Sequence, residues 1–216
     1  MTTCDRSRGF TLLELIVVLA VLALIAGTAV PLAGAVVVAE KRDKATQDLE
    51  QLAAALDAYY FDNAAFPASL TASDFFGVYF QPGVSNGAVV DPFTVNVNYV
   101  YAVDTVANFA SVHSRGENGT DEGAANEELS VFVYAAIPGG RHTWMRLRIA
   151  VEVLANFIES GGNVNGSWTG VCSRMGLDPS YRTDGFGTTF DWDDSSYALR
   201  SAGPDKTLNT ADDIEI

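Results

Sequence analysis

The hydrophobic positions of this chain begin as one long apolar run and continue as shorter periodic stretches. No charged residue occurs from Leu15 to Ala39, a run of 25 residues. A helix of about 20 apolar residues is long enough to cross a bilayer. The run therefore predicts a membrane-spanning helix, preceded by a short polar segment, residues 1–9, that carries two arginines.

A helical period of hydrophobic residues continues after the apolar run. Polar residues separate its apolar positions, which fall at helical spacing: Leu49, Leu52, Leu56, Tyr59 and Tyr60. The pattern predicts that one helix runs from about Thr11 to Phe61. Its second half lays this stripe on a small sheet, and residues 63–67 end it.

A carboxylate, Glu14, lies close to the start of the apolar run. A secretory signal peptide is cleaved after its apolar region and does not carry an acidic residue there. A charge at membrane depth is costly unless it has a partner, so Glu14 is a candidate functional residue.

The stretch RGFTLLELIVVLAVLALIA resembles the signal and mature N-terminus of type IV prepilins and pseudopilins. The resemblance implies that a prepilin peptidase cuts after Gly9 and methylates Phe10, the first mature residue. The new ammonium group can then neutralise Glu14 of a neighbouring subunit and set the axial register of a filament. Pro31, between two glycines, is either a tolerated kink or a point where the helix melts during assembly.

The same resemblance implies an α+β fold with a long N-terminal hydrophobic spine helix and a small antiparallel-sheet head. Residues 1–9 are then a leader that is removed, 10–39 the transmembrane and filament-core helix, 40–66 the amphipathic half of that helix, and 67–216 the head. The basic residues on the two sides of the run do not decide orientation. The resemblance implies a bacterial inner-membrane protein that spans the bilayer once, with its head in the periplasm, or outside the cell in a pilus.

Charge and cysteine content narrow the function further. Lysine and arginine total 13 against 27 acidic residues, a net charge of -14, which disfavours nucleic acid as the primary ligand. Of the two cysteines, Cys4 lies in the predicted leader, so the mature chain keeps only Cys172 and no internal disulfide.

Three carboxylates, Asp205, Asp212 and Asp213, fall in one short loop near the C-terminus. Ca²⁺ takes 6 to 8 oxygen ligands, so this loop is a candidate calcium site, with a solvated acidic tail as the alternative. The run from Thr183 also resembles the end of the major pseudopilins of type II secretion. That resemblance implies Ser201 and carbonyls near Leu199 and Leu208 as further ligands, although Gly185 replaces the family's proline and Lys206 its glycine.

A weaker copy of the same sequence pattern lies earlier in the chain. Residues 89–104 parallel the segment from Asp184, and 111–120 parallel 198–207, which suggests two pseudopilin-like repeats at about 67–140 and 141–216. Asn118, Glu127 and Glu128 would then form a second, degenerate cation site. Chance similarity between glycine-rich acidic loops is the alternative.

The leading hypothesis is a structural subunit of a type II secretion pseudopilus and not an enzyme, since no HExxH motif and no phosphate-binding glycine loop occurs. Its expected partners are other copies, other pseudopilins or pilins, the prepilin peptidase, a secretion platform protein and the membrane. A pilin for adhesion, motility or DNA uptake is the first alternative, and a membrane-tethered calcium-dependent binding domain or enzyme the second. The basic cluster at residues 141–148 has no assigned role.

Overall fold

The computed structural model describes residues 12–81, 89–124 and 129–216. The predicted cleavage residues Gly9 and Phe10 lie outside the described residues, and so do Glu127 and Glu128 of the predicted second cation site.

The chain divides into two compact units, residues 1–44 and 45–216. Helix α1 begins at Leu12 and ends at Asn63, so its last 19 residues belong to the second unit. The backbone is helical at position 31, whose side chain lies outside the described set. Among the residues described, no helix is both long and apolar enough to qualify as a membrane span.

The first half of the second unit is a sheet packed with the end of α1. Strands β1 (Val100–Asp104), β2 (Phe109–His113) and β3 (Ser130–Tyr134) form an antiparallel sheet in the order β1-β2-β3. The predicted α1 stripe is buried, and it shares one core cluster with residues of the sheet: Ala110, Val112 and Val133. The α+β class and the antiparallel sheet are confirmed.

Helix α1 ends where the sequence predicts. The Asn63 amide nitrogen donates to the Tyr59 carbonyl at 2.9 Å, and Ala64 takes a left-handed conformation with φ 54°. A left-handed residue after the last helical position turns the chain away from the helix axis.

The second half repeats a helix-and-sheet arrangement. Helix α2 (Ala136–Glu159) is followed by α3 (Trp168–Met175), a short 3₁₀ helix (Pro179–Arg182) and strands β4 (Asp191–Asp193), β5 (Ala198–Ser201) and β6 (Ile214–Glu215). These strands form a second antiparallel sheet in the order β4-β5-β6. A separate core gathers the buried residues of this half, among them Leu147, Leu154, Trp168, Val171 and Leu199.

A third, smaller cluster joins the two halves. Tyr60 at the end of α1, Ala135 between β3 and α2, and Phe186 before β4 are buried together. Beside it, Arg141 pairs with Asp57 and lies 5.6 Å from the ring centre of Phe61.

In this region the backbone at Gly185 passes very close to the backbone of α2. A Cβ atom there would come within 2.2 Å of the Gly139 carbonyl oxygen, and the Gly185 N–H donates to the Thr143 hydroxyl at 2.9 Å. Proline has neither the room nor the N–H, which explains why glycine stands where the related pattern has proline. The equivalent position of the first half keeps Pro92.

Replacing Gly185 with proline should lower the free energy of unfolding by about 3 kcal/mol or more, because it adds a clash and removes a hydrogen bond. The matched change Pro92→Gly should cost only about 0.4–1 kcal/mol, through the freer unfolded chain. Urea denaturation of both variants measures the difference. Equal losses would show that the approach of Gly185 to Gly139 is not the constraint.

Candidate functional site

The described start of α1 presents an apolar surface with an acid in its first turn. Glu14 lies in that turn, and a negative side chain is favourable there because it faces the positive end of the helix dipole. The large hydrophobic residues around it, from Leu12 at 77% to Ile25 at 55%, are half or more exposed within this unit. Contiguous exposed apolar surface of this extent marks a surface that contacts protein or lipid.

A buried carboxylate organises the second sheet. Asp184 is completely buried, and its Oδ1 accepts the N–H groups of Phe186 at 2.9 Å and Thr188 at 2.8 Å. The hydroxyl of Ser201, at the end of β5, donates to Asp184 Oδ2 at 2.6 Å and accepts the Gly203 N–H at 3.1 Å. The pair thus ties the turn before β4 to the loop that follows β5.

The first half contains a matching pair. Asp91 is completely buried, and its Oδ1 accepts the Phe93 N–H at 3.0 Å. The Ser114 hydroxyl lies 2.9 Å from both Asp91 oxygens and accepts the Gly116 N–H at 3.0 Å. The second backbone donor differs between the halves, since the Arg115 N–H donates to Asp91 Oδ2 at 2.8 Å where Thr188 donates to Asp184 Oδ1.

The sequence predicted that the segments containing these residues are similar in the two halves, but it did not predict that each contains a buried aspartate bonded to a serine. Each half reads Asp-x-Phe before its strand pair and Ser-x-Gly after it. An aspartate in such a pattern is normally taken as a surface turn residue, because aspartate is almost never fully buried without a partner. The serine that recurs in both segments was the signal that could have indicated burial of the aspartate, because its hydroxyl is the hydrogen-bond partner that a buried carboxyl group needs.

The three predicted calcium carboxylates lie in the loop between β5 and β6. Asp212 Oδ2 accepts the Asp205 N–H at 3.1 Å, and Asp213 Oδ2 accepts the Asn209 N–H at 2.8 Å. The loop closes on itself at Gly203, where a Cβ would lie 2.3 Å from the Asp212 carbonyl oxygen. Gly203 therefore brings the two ends of the acidic loop together.

Asp212 also accepts a side-chain hydrogen bond within the loop. The Thr210 hydroxyl donates to Asp212 and lowers the pKa of this carboxyl below its usual value. A group whose pKa is lowered in the folded chain adds stability above its ordinary pKa, and this stability is lost as pH falls through the lowered value. Asp212 is therefore ionised, and able to bind a cation, at neutral pH.

The structure brings only some of the predicted ligands together. Ser201 is committed to Asp184, Leu199 is a buried core residue, and Leu208 is partly exposed in the loop. Within the described ranges, no three acidic, histidine or cysteine side chains gather closely enough to hold a metal ion. A calcium site here would take much of its ligand set from carbonyl oxygens, which Ca²⁺ accepts.

The predicted second site and the basic cluster have other partners. The Asn118 side chain donates to Glu122 at 3.0 Å and accepts the Thr120 N–H at 2.8 Å. Arg146 donates to the backbone oxygens of Thr183 at 2.8 Å and Asp184 at 3.0 Å, where it supports the turn before β4.

The one cysteine of the described chain is inert. Cys172 is buried in the second core, and burial raises the pKa of its thiol to about 11. A protonated, enclosed thiol is neither a nucleophile nor a metal ligand at neutral pH.

Comparison with known proteins matches part of the chain. Residues 4–30 match the family of the prokaryotic N-terminal methylation motif. Type II secretion system core protein G of Escherichia coli strain K12 is 41% identical over 70 residues, which cover 32% of this chain and 48% of that protein. The Pectobacterium carotovorum protein of the same name is 45% identical over 65 residues, covering 30% and 41% of the two chains.

A third relative, core protein G of Klebsiella pneumoniae, is 45% identical over 66 residues, or 30% of this chain and 46% of its own. The chain thus spans less than half the length of these relatives. No solved structure matches it.

Replacing Ser201 with alanine should lower the free energy of unfolding by about 1–3 kcal/mol, because Asp184 would lose a buried hydrogen-bond partner. Ser114→Ala should cost a similar amount through Asp91, and Ser180→Ala, at an exposed position, should cost less than about 0.5 kcal/mol. Chemical denaturation checks all three. A loss at Ser201 no greater than at Ser180 would contradict the role of the buried pairs.

Proposed function

We propose that the chain, whose N-terminal motif and relatives resemble those of type IV pilins and pseudopilins, is a structural subunit of a type II secretion pseudopilus. The relatives named above carry the name of that secretion system. On this proposal the protein acts by polymerising and not by catalysis.

One observation carries the proposal: the methylation motif covers residues 4–30, and Glu14 of that motif lies in the first turn of a helix with an exposed apolar surface. Cleavage after Gly9 would create an ammonium group on Phe10. In a filament this group pairs with Glu14 of the neighbouring copy, which removes the cost of a carboxylate inside apolar surroundings. This ion pair would fix the axial position of each subunit relative to its neighbour in the filament.

The N-terminal helix has two successive environments in this proposal. Before assembly, residues 10–39 anchor the protein in the inner membrane with the head in the periplasm. The prepilin peptidase processes the chain there, and a platform protein then adds it to the filament, where the same residues form the core. Pro31 lets the helix loosen locally when the subunit leaves the bilayer, since proline removes one helical hydrogen bond.

The head is proposed to be a duplicated pseudopilin module. Each half has a helix, a three-stranded antiparallel sheet and a buried Asp–Ser pair in the same order. The Asp–Ser separations along the chain, 23 and 17 residues, differ through loop length. Chance similarity does not account well for two buried aspartates that each accept a serine hydroxyl and the N–H of the second residue after them.

A calcium ion is proposed to stabilise the loop between β5 and β6. Asp205, Asp212 and Asp213 lie within nine residues of one another along the chain, and Asp212 is ionised at neutral pH. Without a cation these negative charges repel one another. Loop carbonyls near Leu199, Ser201 and Leu208 would complete the ligand set.

Replacing Glu14 with alanine should leave membrane insertion intact and reduce filament yield at least about tenfold, since a lost partner worth about 1.4 kcal/mol changes an equilibrium by that factor. Sheared filaments from cells that express the full chain give the yield. Mass spectrometry of the membrane fraction should find the same N-terminus, Phe10, in the variant and the parent.

The matched control is Glu40→Ala, which removes an acid of the same helix outside the apolar run and should not change the yield. Filament yield from the Glu14 variant equal to that of the parent would rule out Glu14 as the register-setting residue. A parent chain that keeps Met1 in a host with active peptidase would refute the proposed function itself.

Calcium should raise the melting temperature of a chain that lacks residues 1–39. At a hundredfold excess over Kd, a ligand that binds only the folded state adds about 2.7 kcal/mol, or roughly 5–10 °C for a chain of this size. Mg²⁺ should add less, because it demands tighter octahedral geometry. Calorimetry in Ca²⁺, Mg²⁺ and chelator measures the shifts.

Changing Asp212 and Asp213 together to asparagine should abolish the calcium shift. The matched control changes Asp193 and Asp194, an acidic pair outside the loop, and should keep the shift although the starting stability falls. Changing Glu127 and Glu128 to glutamine reduces the shift only if the first half also binds the ion. The same melting temperature in Ca²⁺ and in chelator would leave the loop as a solvated acidic tail.

A further inference from the structure

The second unit carries a large excess of negative charge. Of the 27 acidic residues of the chain, 23 lie after Lys44, against 8 of the 13 basic residues, so residues 45–216 have a formal charge of -15. Copies of such a unit repel one another at short range unless positive groups lie between them. The positions of the eight basic residues therefore bear on how two copies can approach.

Six of these eight side chains are engaged within the fold. The arginines that hydrogen bond or pair with other residues of the same chain are Arg115, Arg141, Arg146, Arg174, Arg182 and Arg200. In the part of the chain that the structure describes, the side chains of Arg148 and Lys206 make no hydrogen bond and no ion pair. These two cations are available to another molecule.

Arg148 lies in an apolar setting on the surface of α2. Trp144, one turn earlier on the same helix face, is 51% exposed, and Met145 is 43% exposed. These three residues and the C-terminal Ile216 line a shallow hollow. Tryptophan and arginine at one surface hollow are the residues that dominate the energy of protein interfaces.

We propose that this hollow, lined by Trp144, Met145, Arg148 and Ile216, docks an acidic surface on the head of the next copy of this chain. The inference rests on the proposed filament. Each head offers many acidic side chains and few unengaged cations, so a neighbouring copy has the charge that Arg148 requires. Trp144 and Met145 gain by burial at the same contact.

The contact joins two different surfaces, a basic apolar hollow and an acidic face, so it can repeat from copy to copy without closing into a ring. It need not be strong. Once the N-terminal helices hold two subunits side by side, the heads have a high local concentration, and a weak contact is sufficient. A chain without those helices would leave the contact mostly unformed.

The test places a photoreactive benzoylphenylalanine at Met145 of the full chain, expressed in cells that assemble the filament. Illumination should join Met145 to a second copy, and mass spectrometry should find the attachment in an acidic segment of that copy. Arg148→Gln should reduce the yield of the joined dimer several-fold, and Arg148→Lys should retain most of it, since lysine keeps the charge.

Lys206→Gln is the matched control. It removes the other unengaged cation and the same unit of charge, but it lies outside the hollow and should leave the dimer yield unchanged. Immunoblots verify that the variants accumulate equally, as expected for changes at exposed positions.

Assembled filaments in which Met145 joins lipid or an unrelated protein would overturn the inference, and so would a dimer yield that Arg148→Gln leaves intact. These results would leave the pseudopilus proposal untouched. If the parent chain builds no filament, the proposed function fails, and the inference then stands only if an Arg148-dependent dimer still forms.

Discussion

The head depends on two carboxylates that are removed from water and satisfied by the chain itself. Asp91 and Asp184 are each completely buried, and in each case a serine hydroxyl and backbone N–H groups replace the lost water. A buried polar group without such partners is costly, so each aspartate stabilises the turn and the loop that supply its hydrogen bonds. Each aspartate thus ties the turn before one strand pair to the loop after it.

The acidic loop of the second half follows from this arrangement. Ser201 ends β5 bonded to Asp184, Gly203 follows in a left-handed conformation, and the Asp212 backbone packs against it. Ser201 and Gly203 therefore connect the loop that carries the proposed cation ligands to the core of this half. In the first half the corresponding loop follows Ser114 and Gly116, and in its described part Asn118 is bonded to Glu122.

Local periodicity was sufficient to predict much of this fold. The stripe from Leu49 to Tyr60 and the end of α1 depend on residues close in sequence, and both predictions are confirmed. The burial of Asp184 was not predictable, since it depends on a serine 17 residues away. The same holds for Gly185, whose requirement arises from the Gly139 carbonyl on another element. The acidic loop could be predicted because its charged residues are close in sequence. The hollow at Trp144 could not, because it is also lined by Ile216, which is far from Trp144 in the chain.

The junction between the halves has a mechanical consequence. Strand β3 ends at Tyr134 and α2 begins at Ala136, so one residue connects them, and Ala135 is buried with its N–H bonded to the Asn108 carbonyl at 3.0 Å. A load applied to one half passes directly into the other, with no slack segment to stretch first. In the proposed pseudopilus, this short connection would transmit force between the two halves without first stretching a flexible segment.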